Sequence, residues 1–259
     1  MQAEKVADHI TGWLGDYARR AGMKGFVVGV SGGIDSAVVS SLCARTGLPL
    51  LVAEMPIHQG ADQVSRARDH IARLTSRHPL VEGIEVDLTA PYDRLVNALP
   101  NPPDSPSREM ALVNTRARLR MTTLYFLAGL HGYLVAGTGN KVEDFGIGFY
   151  TKYGDGGVDL SPIADLMKTE VYALGRVLGV SEAILKAAPT DGLWGDARTD
   201  EDQIGASYPE LEWAMTFKGD ETGLTKRQAE VLAIYRRLHA ANRHKMEPIP
   251  VCLIPDALR

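Results

Sequence analysis

The chain has 259 residues, with 28 Lys or Arg against 32 Asp or Glu and a formal net charge of -4 at pH 7. This length supports one sizeable hydrophobic core, and the acidic balance disfavours a general nucleic-acid binder, which needs a positive surface. No stretch reaches the ~20 apolar residues that span a bilayer, no signal-peptide run opens the chain, and Cys43 and Cys252 form no CxxC pair. We therefore expect a cytoplasmic, soluble protein.

Helical patterns alternate with short apolar runs through the first half of the chain. The predicted helices cover residues 2–21, 36–46, 61–76 and 107–131, the last capped by Ser107 and ended by Gly132. The predicted strands cover residues 26–30, 48–55, 80–88 and 133–136. Continuous apolar strands separated by helices indicate an α/β fold with an open parallel sheet and helices on both faces.

The rest of the chain lacks a convincing strand after about residue 165. Capping boxes begin at Thr199 and Thr225, so this part is predicted to be helical. With no repeat, low-complexity tract or linker, residues 1–259 are expected to form one domain.

Glycine is the one composition number that is unusual, with 26 residues. One cluster occupies residues 29–36, between the first strand and the next helix; we call it the glycine loop. A tight turn needs one glycine at most, and this loop has three. Its G-x-S-x-G match to a nucleophile elbow fails because only 30 residues, mostly helical, precede Ser31.

A phosphate-binding loop fits the glycine loop better. Backbone N–H groups of a glycine turn and the N-terminus of the next helix both bind anions, and Asp35 offers a carboxylate for Mg²⁺. The P-loop lysine pattern is absent. The sequence S-G-G-I-D-S instead resembles the PP-loop of the ATP pyrophosphatases, which cleave ATP between its α and β phosphates and form adenylates.

A second glycine-rich segment covers residues 137–159 and follows the last predicted strand. A dinucleotide-binding fingerprint is disfavoured because position 142 is Val, where the third glycine belongs, and no helix is expected to begin there. A long loop at the carboxyl end of a parallel strand, carrying charges and aromatic residues, indicates a ligand site.

This second segment and the sequence after it resemble the NAD synthetase family. The matching patterns are G-T-G-N-K-x-E, T-K-Y-G-D-G-G-x-D, Lys168-Thr169, Pro189-Thr190, T-D-E-D before a Ser-Tyr pair, and His244-Lys245. The family adenylates the nicotinate carboxylate of deamido-NAD with ATP, and ammonia then displaces AMP. The chain departs from the family by one extra residue between Glu143 and Thr151, and by Met246 where arginine is more common.

The resemblance implies a set of site residues. It places ATP at Gly29, Val30, Ser31, Gly32, Gly33, Ile34, Asp35, Ser36, Thr138, Lys168 and Thr190. It places Mg²⁺ at Asp35 and Glu143, with Asp144 as an alternative because of the extra residue. It places deamido-NAD at Tyr17, Asn114, Arg118, Tyr125, Lys152, Asp159, His244 and Lys245, with Tyr17 and Tyr125 lining one pocket.

The resemblance also implies catalytic roles for Asp155, as the group that holds or deprotonates ammonium, and for Lys168. It implies a homodimer without nucleic acid or membrane partners, and free ammonia as the nitrogen source, because no glutaminase domain fits in the chain. Two alternatives stay open: another PP-loop adenylating ligase or tRNA-modifying enzyme, and a nucleotide sensor without turnover.

Overall fold

The structure is a computed structural model, and it describes residues 1–190 and 199–259. Its α-helices are α1 (Ala3–Arg20), α2 (Ile34–Arg45), α3 (Ala61–Arg77), α4 (Thr89–Ala98), α5 (Pro106–His131), α6 (Lys168–Val177), α7 (Glu182–Leu185), α8 (Asp200–Ile204), α9 (Tyr208–Thr216) and α10 (Lys226–Met246). Its strands are β1 (Gly25–Gly29), β2 (Leu50–Glu54), β3 (Val81–Glu85) and β4 (Tyr133–Val135).

The four strands form one parallel sheet in the order β3-β2-β1-β4. β1 pairs with β2 on one side, with Gly29 opposite Ala53, and with β4 on the other. The fold predicted from the alternation of helices and apolar runs is therefore confirmed. The loops after β1 and β4 leave neighbouring strands at the same edge of the sheet, so the two glycine-rich segments meet there.

Alternating residues of β1 pack into two cores on opposite faces of the sheet. Phe26 and Val28 belong to the core beneath α1, α2, α3 and α6, whereas Val27 belongs to the core beneath α4 and α5. A third core, which includes Leu211 and Val231, joins α9 and α10 to residues 142–147. The helical part after residue 165 thus packs onto the second glycine-rich segment.

Local chemistry explains where the observed helix limits depart from the predicted ones. The cap of α5 is Ser105, not Ser107: its hydroxyl accepts from Arg108 N–H at 3.2 Å, and Pro106 occupies the first helical position. α4 was not predicted, although Asp87 accepts from Thr89 N–H at its start. Pro91 lies in the first turn of α4, where backbone N–H groups have no partner within the helix, so proline costs no helical hydrogen bond there.

The segment after β4 holds the largest difference. Residues Val142–Ile147 form a π-helical turn where no helix was expected. A π turn is how an extra residue is accommodated in a helix, and this turn lies within the stretch that is one residue longer than the family pattern. The capping boxes at Thr199 and Thr225 are confirmed as the starts of α8 and α10.

None of the helices within residues 1–190 and 199–259 combines the length and the apolar character needed to cross a membrane.

Candidate active site

A cavity of about 260 Å³ opens at the carboxyl ends of the parallel strands. Every residue predicted to bind ATP lines it: Gly29, Val30, Ser31, Gly32, Gly33, Ile34, Asp35, Ser36, Thr138, Lys168 and Thr190. Glu143, Asp144 and Asp155 line the same cavity. The two glycine-rich segments and the start of α6 therefore form a single site.

The glycine loop is held by its own serines. Ser31 N–H donates to Ser36 Oγ at 3.2 Å, and Gly33 N–H donates to Ser31 Oγ at 3.3 Å. Gly32 has φ +80°, and a Cβ there would lie 2.6 Å from the Gln63 carbonyl oxygen, so only glycine fits. No side chain of the described residues caps α2, and the first N–H groups of this helix can therefore bind an anion.

A buried ion cluster links the glycine loop to the second glycine-rich segment. Lys168 Nζ lies 2.6 Å from Asp35 Oδ2 and 2.9 Å from Glu143 Oε1. The Tyr208 hydroxyl donates to Glu143 Oε1 at 2.5 Å, and the Asn140 amide donates to Asp35 Oδ1 at 3.2 Å. One cation thus joins two carboxylates that are 108 positions apart in the chain.

Lys168 and Glu143 stabilise each other's charge, whereas burial raises the pKa of Asp35 above its ordinary value although Lys168 opposes the rise. Burial alone would lower the pKa of Lys168, but the carboxylates of Asp35 and Glu143 raise it above its ordinary value. Burial would raise the pKa of Glu143, yet Lys168 and the Tyr208 hydroxyl hold it below its usual range. Lys168 is therefore charged at neutral pH, and Glu143 is ionised.

Two further carboxylates in the cavity form no salt bridge with any residue that the structure describes. Burial, with the nearby charges of Glu143 and Asp155, raises the pKa of Asp144 to about 8. Desolvation of its carboxyl group in the cavity also raises the pKa of Asp155 to about 6, although the residue as a whole is exposed and Thr151 N–H donates to its Oδ1 at 2.9 Å. Near neutral pH both groups are close to titration, which is the condition for proton transfer.

None of the eight residues predicted to bind deamido-NAD lines this cavity, and most of them lie where the second glycine-rich segment meets α5 and α10. Lys152 Nζ donates to the His244 carbonyl at 2.7 Å, and Arg118 Nε donates to the Lys152 carbonyl at 3.3 Å. Lys245 Nζ donates to the carbonyls of Gly148 and Tyr150, both at 2.8 Å. These side chains donate to backbone carbonyls, and the hydrogen bonds join the second glycine-rich segment to α5 and α10.

Asn114 holds the same segment from α5. Its side-chain oxygen accepts from the Thr151 hydroxyl at 2.6 Å. Asn114, Arg118, Lys152, His244 and Lys245 are therefore brought together along one seam, next to the cavity.

Asp159 and Tyr125 anchor the end of this segment to the sheet. Asp159 accepts from Val135 N–H at 2.8 Å and from the Tyr125 hydroxyl at 3.0 Å. Tyr17 lies on α1, against the core on the opposite face, with its ring 5.7 Å from that of Trp13. A single chain therefore does not form the shared pocket expected for Tyr17 and Tyr125, because the sheet separates them.

Several residues of the site are not among those predicted from the sequence, and three of them are Asn140, Tyr208 and Glu54. Asn140 is fully buried and orients both the Glu143 segment and Asp35. Tyr208 bonds Glu143, and Glu54 lines the cavity from the end of β2. Asn140 and Tyr208 both stand inside matched motifs, whereas the only local signal for Glu54 is a carboxylate in an apolar run.

Comparisons with known proteins agree with this site. A family model described as NAD synthase matches residues 6–248. The NH(3)-dependent NAD(+) synthetase of Carboxydothermus hydrogenoformans is 38% identical over 93% of this chain and 94% of its own length. That of Alkaliphilus oremlandii is also 38% identical, over 95% and 97%.

Two solved structures superpose on nearly the whole chain. NMN synthetase from Francisella tularensis superposes with a TM-score of 0.85 at 30% identity, covering 99% of each chain. NH3-dependent NAD synthetase from Campylobacter jejuni superposes with a TM-score of 0.78 at 26% identity, covering 98% of this chain and 100% of that one. The resemblance suggested by the motifs is thus confirmed, and the chain belongs to the NAD synthase family.

Proposed function

We propose that this chain is a ligase that makes NAD from deamido-NAD, ammonia and ATP. The observation that carries the proposal is the single cavity in which the glycine loop, Lys168 and the carboxylates of Asp35 and Glu143 meet. A nicotinate carboxylate oxygen attacks the α-phosphorus of ATP, and pyrophosphate leaves. Ammonia then attacks the activated carbonyl carbon, loses a proton, and AMP leaves as the amide forms.

The glycine loop and the N-terminus of α2 bind the triphosphate in this scheme. Their N–H groups and the helix dipole stabilise negative charge. Lys168 holds Asp35 and Glu143 in the structure, and it turns to the phosphates when ATP enters. Thr138 and Thr190 line the cavity and bind ATP through their hydroxyls.

Asp35 and Glu143 are the residues that would hold Mg²⁺. Among the described residues no group of three or more His, Cys, Asp or Glu side chains is arranged to hold a metal. Two carboxylates suffice for this ion because it keeps several waters and takes its other ligands from phosphates. When bound, Mg²⁺ neutralises phosphate charge and makes pyrophosphate a better leaving group.

Asp155 accepts the proton that the ammonia nitrogen loses as it attacks the carbonyl carbon. Its carboxylate lies in the cavity beside the second glycine-rich segment, and its pKa of about 6 makes it an ionised base at neutral pH. Thr151 N–H keeps the carboxylate in place.

The seam formed by Asn114, Arg118, Lys152, His244 and Lys245 binds the deamido-NAD phosphates and ribose. Its cations satisfy backbone carbonyls without a ligand, and these bonds exchange for bonds to the dinucleotide. Tyr125 and Asp159 shape the floor of this subsite.

We propose a cytoplasmic homodimer as the working form. Phe126 and Leu130 on α5 are 68% and 67% exposed, which suits a subunit contact. In a dimer, Tyr17 of one subunit can approach Tyr125 of the other, which a single chain does not allow. Light scattering tests this: a mass near 28.1 kDa would contradict it, and about twice that mass supports it.

Amidation of a mononucleotide is the second candidate. Its support is the fit to the Francisella tularensis protein, whose TM-score of 0.85 exceeds the 0.78 of the Campylobacter jejuni enzyme. The mononucleotide carries the same nicotinate carboxylate and lacks the AMP half, so the two substrates differ only in what the seam must bind.

One assay separates these possibilities. The chain is incubated with ATP, Mg²⁺ and ammonium, with either deamido-NAD or nicotinate mononucleotide, and AMP and amide products are measured. A higher kcat/KM with deamido-NAD supports the main proposal, and a higher value with the mononucleotide supports the second. AMP release with neither favours another PP-loop ligase, and ATP binding without AMP release favours a sensor.

A further inference from the structure

Glu54 is a buried carboxylate in the cavity to which no role has been assigned. It is the last residue of β2, only 4% exposed, and it lines the cavity from the side facing α3. It ends a strand of otherwise apolar residues. Acidic side chains are rarely buried to this degree unless they are fully bonded.

Its hydrogen bonding is incomplete. Oε2 accepts from Arg68 Nε at 3.2 Å, whereas Oε1 is buried and has no donor within the described chain. Arg68 is better engaged by Glu85, to which it gives two bonds of 2.9 and 3.0 Å. Burial raises the pKa of Glu54, and Arg68 opposes the rise. One oxygen of a cavity-lining carboxylate thus lacks a donor, and a ligand could supply it.

The position of Glu54 relative to the glycine loop indicates which group of ATP would donate to Oε1. Gly29 pairs with Ala53, and Val30 N–H donates to the Ala53 carbonyl at 2.9 Å, so Glu54 lies beside Val30. The phosphate-binding part of the loop begins one residue later. The part of ATP attached to its phosphates is the ribose, and its hydroxyls are hydrogen-bond donors.

Apolar side chains next to Glu54 indicate where the adenine base would lie relative to the ribose. A Cβ on Gly29 would meet Met55 Cε at 3.3 Å and a Leu124 methyl at 3.5 Å, so apolar groups flank the strand end next to Glu54. Such groups suit the face of an adenine ring. In doubly wound sheets a carboxylate at the end of the second strand commonly accepts from a ribose hydroxyl.

We propose that Glu54 binds ATP by accepting a hydrogen bond at Oε1 from a ribose hydroxyl. This inference rests on the proposed function only in that ATP is the nucleotide bound. The terminal torsion of a glutamate is broad, so a small rotation turns Oε1 from its buried position toward the ribose.

The test compares ATP with 2′-deoxy-ATP and 3′-deoxy-ATP in three variants. Glu54→Met removes the acceptor at similar size, and Glu54→Gln keeps the shape without the charge. Glu85→Gln is the matched control, because it loses a bond to the same Arg68 from an exposed position. Each protein is checked by urea unfolding, and nucleotide Kd is measured by calorimetry alongside kcat/KM.

Wild type is expected to bind one deoxy analogue about 10- to 100-fold more weakly than ATP, the range for one hydrogen bond to a charged acceptor. Glu54→Met should bind ATP more weakly by a similar factor, should show no further loss with that analogue, and should keep its KM for ammonium. Glu54→Gln should bind ATP with an affinity between those of wild type and Glu54→Met, and Glu85→Gln should bind ATP and its analogues as wild type does.

Two results would overturn the inference. The first is a full deoxy penalty retained in Glu54→Met, or in Glu54→Gln if the Met variant does not fold. The second is that Glu54→Met, unlike wild type, binds ATP no better than purine riboside triphosphate, which lacks the 6-amino group. That result would move the contact of Glu54 from the ribose to the base. Because Kd is read without turnover, wild type that binds ATP but releases no AMP contradicts the proposed function and leaves this test intact.

Discussion

The ammonium of Lys168 lies 2.6 Å from the carboxylate of Asp35, although the two residues are 133 positions apart. Asp35 is in the first turn of α2 and Lys168 is the first residue of α6. Both helices begin at the carboxyl edge of the sheet, so their N-termini and the charges they carry converge on one cavity. The pair is a direct consequence of the parallel topology.

Lys168→Met tests this pair. It leaves Asp35 and Glu143 buried without a cation, which should lower the free energy of unfolding by about 3–5 kcal/mol. Turnover should fall at least about 100-fold through loss of the phosphate contact. Lys141→Met is the control, since Lys141 pairs with the 95% exposed Asp165 and should change stability by less than about 1 kcal/mol. Equal stability of the two variants would contradict the role of the pair.

Substitutions of Glu143 and Asp144 test which of the two carboxylates binds Mg²⁺. Glu143 faces Lys168 together with Asp35, whereas Asp144 packs against Gly139, where a Cβ would lie 2.1 Å from its Oδ2. Glu143→Gln should raise the Mg²⁺ concentration for half-maximal activity at least about tenfold, the effect of losing one charged ligand. Asp144→Asn should shift it less than about threefold, within the same scale. The reverse order would assign the metal to Asp144.

Asp155→Asn addresses the ammonia step. Removing a general base typically costs about 10²-fold or more in rate, so kcat with ammonium should fall by that factor while the Kd for ATP stays within about twofold. Wild-type kcat/KM should also decrease as pH falls through about 6, where Asp155 of the free enzyme becomes protonated. Unchanged turnover in the variant would remove Asp155 from the mechanism.

Local signals explain which parts of the site could be predicted from the sequence. The glycine loop was predictable because a strand, three glycines and a helix start are adjacent in the chain. The Tyr208–Glu143 bond and the buried position of Glu54 were not, because both depend on packing between distant elements. The π turn at 142–147 has no simple pattern, since it only shifts the register of a helix by one residue.

Asp144 makes stability depend on pH in the opposite sense to an ion-paired acid. Its folded pKa of about 8 lies above its ordinary value of 3.8, so between these pH values the folded protein holds a proton that the unfolded chain has lost. The free energy of unfolding should therefore fall as pH rises from about 4 to about 8. Asp144→Asn removes this loss.

We expect the Asp144→Asn variant to match wild type near pH 4 and to exceed its stability by on the order of a few kcal/mol at pH 8. Urea unfolding without Mg²⁺ at several pH values measures the difference. Asp69→Asn, a substitution on the exposed face of α3, should run parallel to wild type. If the free energy of unfolding changed with pH equally in Asp144→Asn and wild type, Asp144 would be ionised in the folded protein at neutral pH. The three carboxylates of Glu143, Asp144 and Asp155 would then require a cation other than Lys168.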